Sequence, residues 1–142
     1  MVSYVLTMGS SQDQIRAALE QLQNERRYFS IAVYRITDNY AVRVASAGAT
    51  CGQCDKISLS TGIIGRVARS GLVHAARDVS KDPSYKSCFS QVCAETVVPV
   101  VVSGKTIGVI DVESSSGPID PAELEGFTRQ IEAILEAIQT AG

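Results

Sequence analysis

The chain has 142 residues, of which 45% are hydrophobic and 20% charged, and its formal net charge is −2. This size and balance predict one globular domain over residues 1–142 and exclude general disorder. Apart from Arg26 and Arg27 there is no basic cluster, so binding to nucleic acid or to an anionic membrane is not expected. No apolar run reaches transmembrane length, and the opening segment lacks the features of a secretory signal. We therefore expect a cytoplasmic protein whose four cysteines are mostly reduced.

The chain opens with a predicted helix followed by a predicted strand. Apolar side chains recur at helical spacing over residues 10–27, and Ser10 or Ser11 can cap the first turn. Residues 29–36 are apolar at successive positions, which predicts a strand buried on both faces.

The middle of the chain predicts shorter elements. Residues 40–45 favour a second strand after a turn, and residues 46–61 are small and polar, which indicates a loop. Residues 62–69 fit a short helix that ends at Gly71, and residues 72–76 fit a short strand. The middle of the chain is therefore predicted to contribute two strands and one helix.

The last third predicts a long connection, a hairpin and a helix. Residues 78–94 show no clean periodicity, and connections of this length inside a compact domain are often functional. Residues 95–113 predict a β-hairpin that turns at Ser103-Gly104. The closing helix begins at Asp120-Pro121, because proline is favoured at the first helical position. The order of elements predicts an α+β domain with an antiparallel sheet, whose terminal helices pack on one face and offer a surface for a homodimer.

The second strand of this hairpin carries two carboxylates at its end. Side chains alternate along a strand, so Asp111 and Glu113 are predicted to share a face with Ile107 and Val109. A carboxylate on an apolar strand face is costly unless a positive group binds there. Two interpretations stay open: the two acids pair with an ammonium or amine of a ligand, or Glu113 is solvated at the end of the strand.

Three segments in their order along the chain resemble a GAF domain: GIIGRVARSG, RDVSKDPSY and ETVVPVVVSGKTIGVIDVES. The resemblance implies a six-stranded antiparallel sheet with the N- and C-terminal helices on one face and a loop-covered pocket on the other. It also implies a module that senses or binds a small molecule, without choosing the ligand.

One enzymatic branch of that family, the free methionine-(R)-sulfoxide reductases, resembles the chain more closely. Cys54 stands where the branch has a cysteine shortly before the G-x-x-G turn. Cys88 stands seven residues before Glu95, as the attacking cysteine of the branch does. The resemblance implies that Cys88 attacks the sulfoxide sulfur, that Cys54 then forms a disulfide with it, and that thioredoxin reduces the pair.

The same resemblance implies a set of ligand-binding residues, which are Glu95, Asp111, Glu113, Asp78 and Tyr85. The chain departs from the branch in three ways. The further cysteine expected inside the G-x-x-G turn is Ile64, the Gly-His pair before the attacking cysteine is Ser84-Tyr85, and tryptophan is absent. Because of these departures we rank a small-molecule-binding sensor or regulatory module first and the reductase second.

Other interpretations of the cysteines and of the single histidine remain open. Cysteines at positions 51, 54, 88 and 93 have spacings that zinc tolerates, which would make the chain a metal-stabilised interaction module. His74 stands among apolar residues of a predicted strand and is more typical of a structural histidine than of a haem ligand. The favoured interpretation needs no metal and no cofactor.

Overall fold

A computed structural model describes residues 10–50, 52–85 and 89–141 of the chain. In chain order the helices and strands are α1 (Ser11–Arg26), β1 (Ser30–Thr37), β2 (Tyr40–Gly48), β3 (Lys56–Ser58), α2 (Gly62–Ser70), β4 (His74–Ala76), β5 (Ala94–Val102), β6 (Lys105–Ser114) and α3 (Glu125–Ala141). Short 3₁₀ helices lie at Gly52–Cys54, Val79–Lys81 and Pro121–Leu124.

Within the described residues the strands form one sheet of six, in the order β3-β2-β1-β6-β5-β4, and every neighbouring pair is antiparallel. The sheet confirms the predicted α+β architecture. Strand β1 lies in the interior of the sheet, as its continuous apolar run predicted. The hairpin β5–β6 turns at Ser103 and Gly104, which have φ values of 53° and 78°. Two successive residues with positive φ are the requirement of a tight turn that matches the strand twist.

Helices α1 and α3 pack on one face of the sheet, which we call the helix-side face. Its core is apolar and includes Leu19, Ile31, Ile110, Ile131 and Leu135, each at most 1% exposed. The backbone of β1 approaches so closely here that a Cβ at position 108 would lie 2.6 Å from the Tyr34 carbonyl oxygen and 2.7 Å from Leu135 Cδ1, so only glycine fits there without a shift.

The opposite face, which we call the loop-side face, is covered by α2 and by the segments around Val79 and Val92. Among the described residues this face buries fewer apolar side chains than the helix-side face. They include Val67, Val97 and Val109, each fully buried. The carboxylates of the hairpin lie on this same face, because Asp111 follows Val109 by two positions along β6.

The structure corrects several element boundaries. The predicted loop over residues 46–61 contains the end of β2, a 3₁₀ turn and the three-residue edge strand β3. Strand β4 begins only at His74, and the residues before it, Leu72 and Val73, are exposed. Such short edge strands contain too few residues for their side-chain alternation to be recognised in the sequence.

The prediction that Ile107 shares a face with Asp111 and Glu113 is wrong. The register between β5 and β6 shifts because Val100 pairs with Gly108 and Val101 pairs with Thr106. Strand β6 therefore carries a bulge at Ile107. A bulge inserts one residue and reverses the alternation on one side of it. Ile107 therefore packs in the helix-side core, whereas Val109 remains on the loop-side face as predicted.

No helix in residues 10–50, 52–85 and 89–141 is both long enough and apolar enough to cross a membrane.

Candidate functional site

Strand register brings three predicted carboxylates together on the loop-side face. Glu95 of β5 lies directly opposite Glu113 of β6, and Asp111 stands two residues before Glu113 on the same face. We call Glu95, Asp111 and Glu113 the acidic cluster. On the other side of β6, Ser30 of β1 pairs with Glu113, so the cluster crosses three neighbouring strands.

Glu95 is buried and the other two residues of the acidic cluster are half-buried, and the bonds within the described residues leave part of the cluster unsatisfied. Glu95 is only 6% exposed. Glu113 accepts a hydrogen bond of 3.0 Å from the Ser30 hydroxyl. Asp111 Oδ1 is buried and accepts no hydrogen bond from the residues that the structure describes. A buried acceptor without a donor is costly, so this oxygen indicates where a ligand could donate a hydrogen bond.

Burial and mutual repulsion raise the pKa of each carboxyl in the cluster. For Glu95, burial raises the pKa well above its usual value, and the charge of Asp111 and a hydrogen bond with it add to the effect. For Asp111, burial raises the pKa while the bond from Glu95 opposes that rise. These directions indicate that Glu95 is the more readily protonated of the two and that it donates the hydrogen bond to the Asp111 carboxylate.

Glu113 titrates in the physiological range. Burial and then the charge of Asp111 raise its pKa to about 7, although the hydroxyls of Ser30 and Tyr85 act in the opposite direction. At neutral pH the cluster therefore holds both negative charge and protons. A positively charged ligand would lower the pKa values of these carboxyl groups, because opposite charge favours the ionised form.

Both Cys54 and Asp111 act on Tyr34 of β1. Tyr34 of β1 is 2% exposed, and its phenol pKa is raised by burial, then by Asp111, and then by Cys54. Tyr34 is therefore close to both the cluster and the thiol. Arg43, opposite Tyr34 on β2, acts to lower that pKa and forms an ion pair with Asp55, which follows Cys54 in the chain.

The other predicted site residues fall into three situations. Tyr85 packs against the loop-side core, and its hydroxyl acts to lower the pKa of Glu113. Asp78 is exposed and caps the turn Val79–Lys81 by accepting hydrogen bonds from Ser80, so the structure does not place it in the acidic cluster. Cys88 lies outside the described residues, and its predicted role stays a prediction.

Sequence reasoning missed two residues that complete the cluster, Ser30 and Tyr34. They stand four positions apart on one face of β1 and flank three apolar residues, 31–33, and that spacing was a usable signal. It could not reveal that the strand pairs with β6, because strand order is not encoded in any local pattern.

The zinc prediction also stays open. Within the residues that the structure describes, no group of three or more potential ligands could hold a metal ion. Cys51 and Cys88, two of the four proposed zinc ligands, lie outside those residues. Cys93, by contrast, packs against the helix-side core, on the other face of the sheet from the acidic cluster.

Comparison with known proteins places this geometry in context. A model of the GAF domain family matches residues 12–138. Protein YtsP of Bacillus subtilis (strain 168) is 30% identical over 86 residues, which is 58% of this chain. The match covers 53% of YtsP, so the chain spans about half the length of this curated relative.

Solved structures with the same fold include both free methionine-R-sulfoxide reductases and a GAF domain from a phosphotransferase. A type II free methionine-R-sulfoxide reductase from Thermoplasma acidophilum has a TM-score of 0.83 at 23% identity, covering 89% of this chain and 93% of that one. The free methionine-R-sulfoxide reductase of Neisseria meningitidis, solved with its substrate, has a TM-score of 0.83 at 22% identity, covering 94% and 82%. The GAF domain of an Acinetobacter phosphoenolpyruvate-protein phosphotransferase has a TM-score of 0.81 at 18% identity, covering 99% and 91%. Identities this low show the shared fold alone.

Proposed function

We propose that this chain, which belongs to the GAF domain family, binds a free amino acid at the acidic cluster and reduces methionine-(R)-sulfoxide. The observation that carries the proposal is the convergence of one buried and two half-buried carboxyl groups on one sheet face, with Asp111 Oδ1 unpartnered among the described residues. Two proteins with the same fold are free methionine-R-sulfoxide reductases, and the choice of reaction rests on the positions of Cys54 and Cys88, which resemble that branch in the sequence.

The acidic cluster is suited to bind an ammonium group. Burial of carboxylates without a nearby cation costs stability, and a substrate ammonium would recover that cost through charge-assisted hydrogen bonds. The unpartnered Asp111 oxygen would accept one of these bonds. The raised pKa values of Glu95 and Glu113 make these carboxyl groups the candidate proton donors to the sulfoxide oxygen.

The proposed chemistry is a two-electron transfer from thiols to the sulfoxide. The Cys88 thiolate attacks the substrate sulfur, the oxygen passes to the cysteine, and methionine leaves while Cys88 becomes a sulfenic acid. The Cys54 thiol then attacks that sulfenic acid, forming a disulfide and releasing water. A dithiol such as thioredoxin reduces the disulfide and restores both thiols.

Turnover with dithiothreitol tests the proposal. Wild type is expected to release methionine from methionine-(R)-sulfoxide and to spare the (S) epimer. Cys88→Ser should abolish release, whereas the matched variant Cys93→Ser should retain it, since Cys93 packs against the opposite face. Asp111→Asn should raise KM by about 10-fold or more, the effect of losing one charge-assisted bond. Equal activity of wild type and Cys88→Ser would contradict the proposed mechanism.

A second candidate is a regulatory module that binds an amine-bearing metabolite without transforming it. It is favoured by Ile64, which is 7% exposed in the loop-side core at the position where the reductase resemblance expects a cysteine. Its signature would be a rise in melting temperature with methionine, together with no turnover of either sulfoxide epimer. Loss of that rise in Asp111→Asn would assign the binding to the acidic cluster.

A further inference from the structure

Strand β4 forms one edge of the sheet. Within the described residues its one strand partner is β5, through the pairs of His74, Ala75 and Ala76 with residues 95–97. In an antiparallel sheet, alternate residues of an edge strand point their N–H and C=O groups away from the sheet. These groups are a template on which a further strand can form hydrogen bonds.

Apolar side chains are exposed beside this edge. Leu72 is 70% exposed and Val73 is 47% exposed, the two highest values among the large hydrophobic residues that the structure describes. Ala75, the middle residue of β4, is exposed as well. An unpaired strand edge that also exposes apolar side chains favours association with another chain.

A groove of about 360 Å³ separates Val73 from the start of α3, and we call it the α3 groove. Its charged lining residues are Glu125, Arg129 and Glu132, so acidic residues outnumber basic ones. Neither glutamate forms an ion pair with another residue among positions 10–50, 52–85 and 89–141. The α3 groove is therefore suited to bind a cationic side chain.

A second groove, of about 530 Å³, lies between β4 and the segment before α3, and we call it the proline groove. Ala75 and Arg77 line it on one side, and Pro118, Ile119 and Pro121 line it on the other. Arg77 is exposed and forms no ion pair within the part of the chain that the structure describes. Pro121 also lines the α3 groove, so the two grooves adjoin along the edge.

Symmetry limits how two copies of β4 can pair. In two identical antiparallel strands the outward-pointing residues alternate in the same order, so one residue must face its own copy. If that residue is Ala75, the centre of β4, Val73 faces the partner's Arg77. Ala75 pairs with Thr96 on the helix-side face, and alternation places Val73 and Arg77 on that face too, beside the two grooves.

We propose that β4 pairs with β4 of a second copy of this chain, centred on Ala75, and so joins the two six-stranded sheets. Charge complementarity supports a second copy as the occupant. The partner's Arg77 would reach the α3 groove beside Glu125 and Glu132, because directly opposed side chains lie about 5 Å apart. The partner's Val73 would cover the proline groove. Two-fold symmetry forms each of these contacts twice.

The three-residue length of β4 predicts a weak, reversible dimer with a dissociation constant on the order of 100 µM. Sedimentation equilibrium of the full chain with dithiothreitol measures this constant and requires neither ligand nor turnover. Val73→Lys should raise it by about 10-fold or more, because the lysine faces the partner's Arg77. In the monomer the lysine lies beside Glu125 and Glu132, so the fold should be retained. Adding Arg77→Glu to Val73→Lys should restore the dimer, since the opposed charges then attract.

Two control variants and one measurement on wild type locate the interface. Lys56→Glu, on the opposite sheet edge, and Glu20→Lys, exposed on α1, should leave the dissociation constant unchanged. Amide exchange of residues 74–76 should slow as the concentration of wild type rises, which tests the edge without any variant. A wild type that stays monomeric at about 1 mM would overturn the proposal. So would a dimer that Val73→Lys leaves intact, a dimer that only Glu20→Lys breaks, or exchange at 74–76 that does not depend on concentration.

Discussion

The two faces of the sheet contain opposite chemistry, although the same strands build both. The helix-side face buries aliphatic residues such as Ile110 and Leu135, and its buried Thr96 is satisfied by a bond of 2.8 Å to the Ile119 carbonyl. The loop-side face buries carboxylates with raised pKa values beside aliphatic residues. The helix-side face therefore supplies stability, whereas the loop-side face gives up stability where its carboxyl groups leave water, at the proposed ligand site.

The largest effect is expected on the helix-side face. Leu135→Ala should lower the free energy of unfolding by about 2–5 kcal/mol, because Leu135 is 1% exposed and its removal leaves a cavity above Gly108. Urea denaturation measures the change. Asp111→Asn on the other face should cost less than about 1 kcal/mol, since it removes a charge that burial disfavours. Equal losses in the two variants would refute the contrast between the faces.

A pH-dependent effect is expected from Glu113. Its pKa rises from 4.5 unfolded to about 7 folded, so its stabilising contribution is complete below pH 4.5 and is lost as the pH rises through 7. Glu113→Gln removes the titrating carboxyl group, so the variant does not lose this part of the free energy of unfolding as the pH rises. Relative to wild type, the variant should gain on the order of 2 kcal/mol between pH 5 and pH 8, measured by urea denaturation. Glu20→Gln, at an exposed site on α1, should show no such gain. A wild type and Glu113→Gln that respond alike to pH would argue against burial of the Glu113 charge.

The smallest effect concerns the start of α1, away from both faces. Ser10 and Asp13 exchange hydrogen bonds in a capping box, in which the Ser10 hydroxyl accepts from the Asp13 N–H and the Asp13 carboxylate accepts from the Ser10 N–H. Ser10→Ala should lower the free energy of unfolding by about 1 kcal/mol. Ser11→Ala is the matched control and should have little effect, which distinguishes the two caps that the sequence allowed. A larger loss in Ser11→Ala would reverse the assignment.

Local patterns in the sequence were sufficient for the long elements. Helical spacing predicted α1, whose buried face is Ile15, Ala18 and Leu19, and the positive φ of Ser103 and Gly104 agrees with the predicted hairpin turn. These elements depend on contacts between residues that are near each other in the chain. A motif resemblance added the six-stranded sheet, which the strand order confirms.

The same local patterns failed where a distant contact decides the outcome. Strand β3 exists because Lys56–Ser58 pairs with residues 40–42 of β2, and no periodicity is visible in three residues. Ile107 faces the helices because of a bulge that the local sequence pattern does not predict. The bond from His74 to Asp82 joins residues eight positions apart whose proximity depends on how the chain turns after β4.

By itself, the sequence determined the positions of the carboxylates along the hairpin and the alternation that placed Asp111 and Glu113 on one face, since period-two geometry is a property of any strand. Only the tertiary structure decided that Glu95, Ser30 and Tyr34 join them, because strand register brings those residues within reach. Burial then decided their protonation, since the free energy of a charge depends on the atoms and charges that surround it.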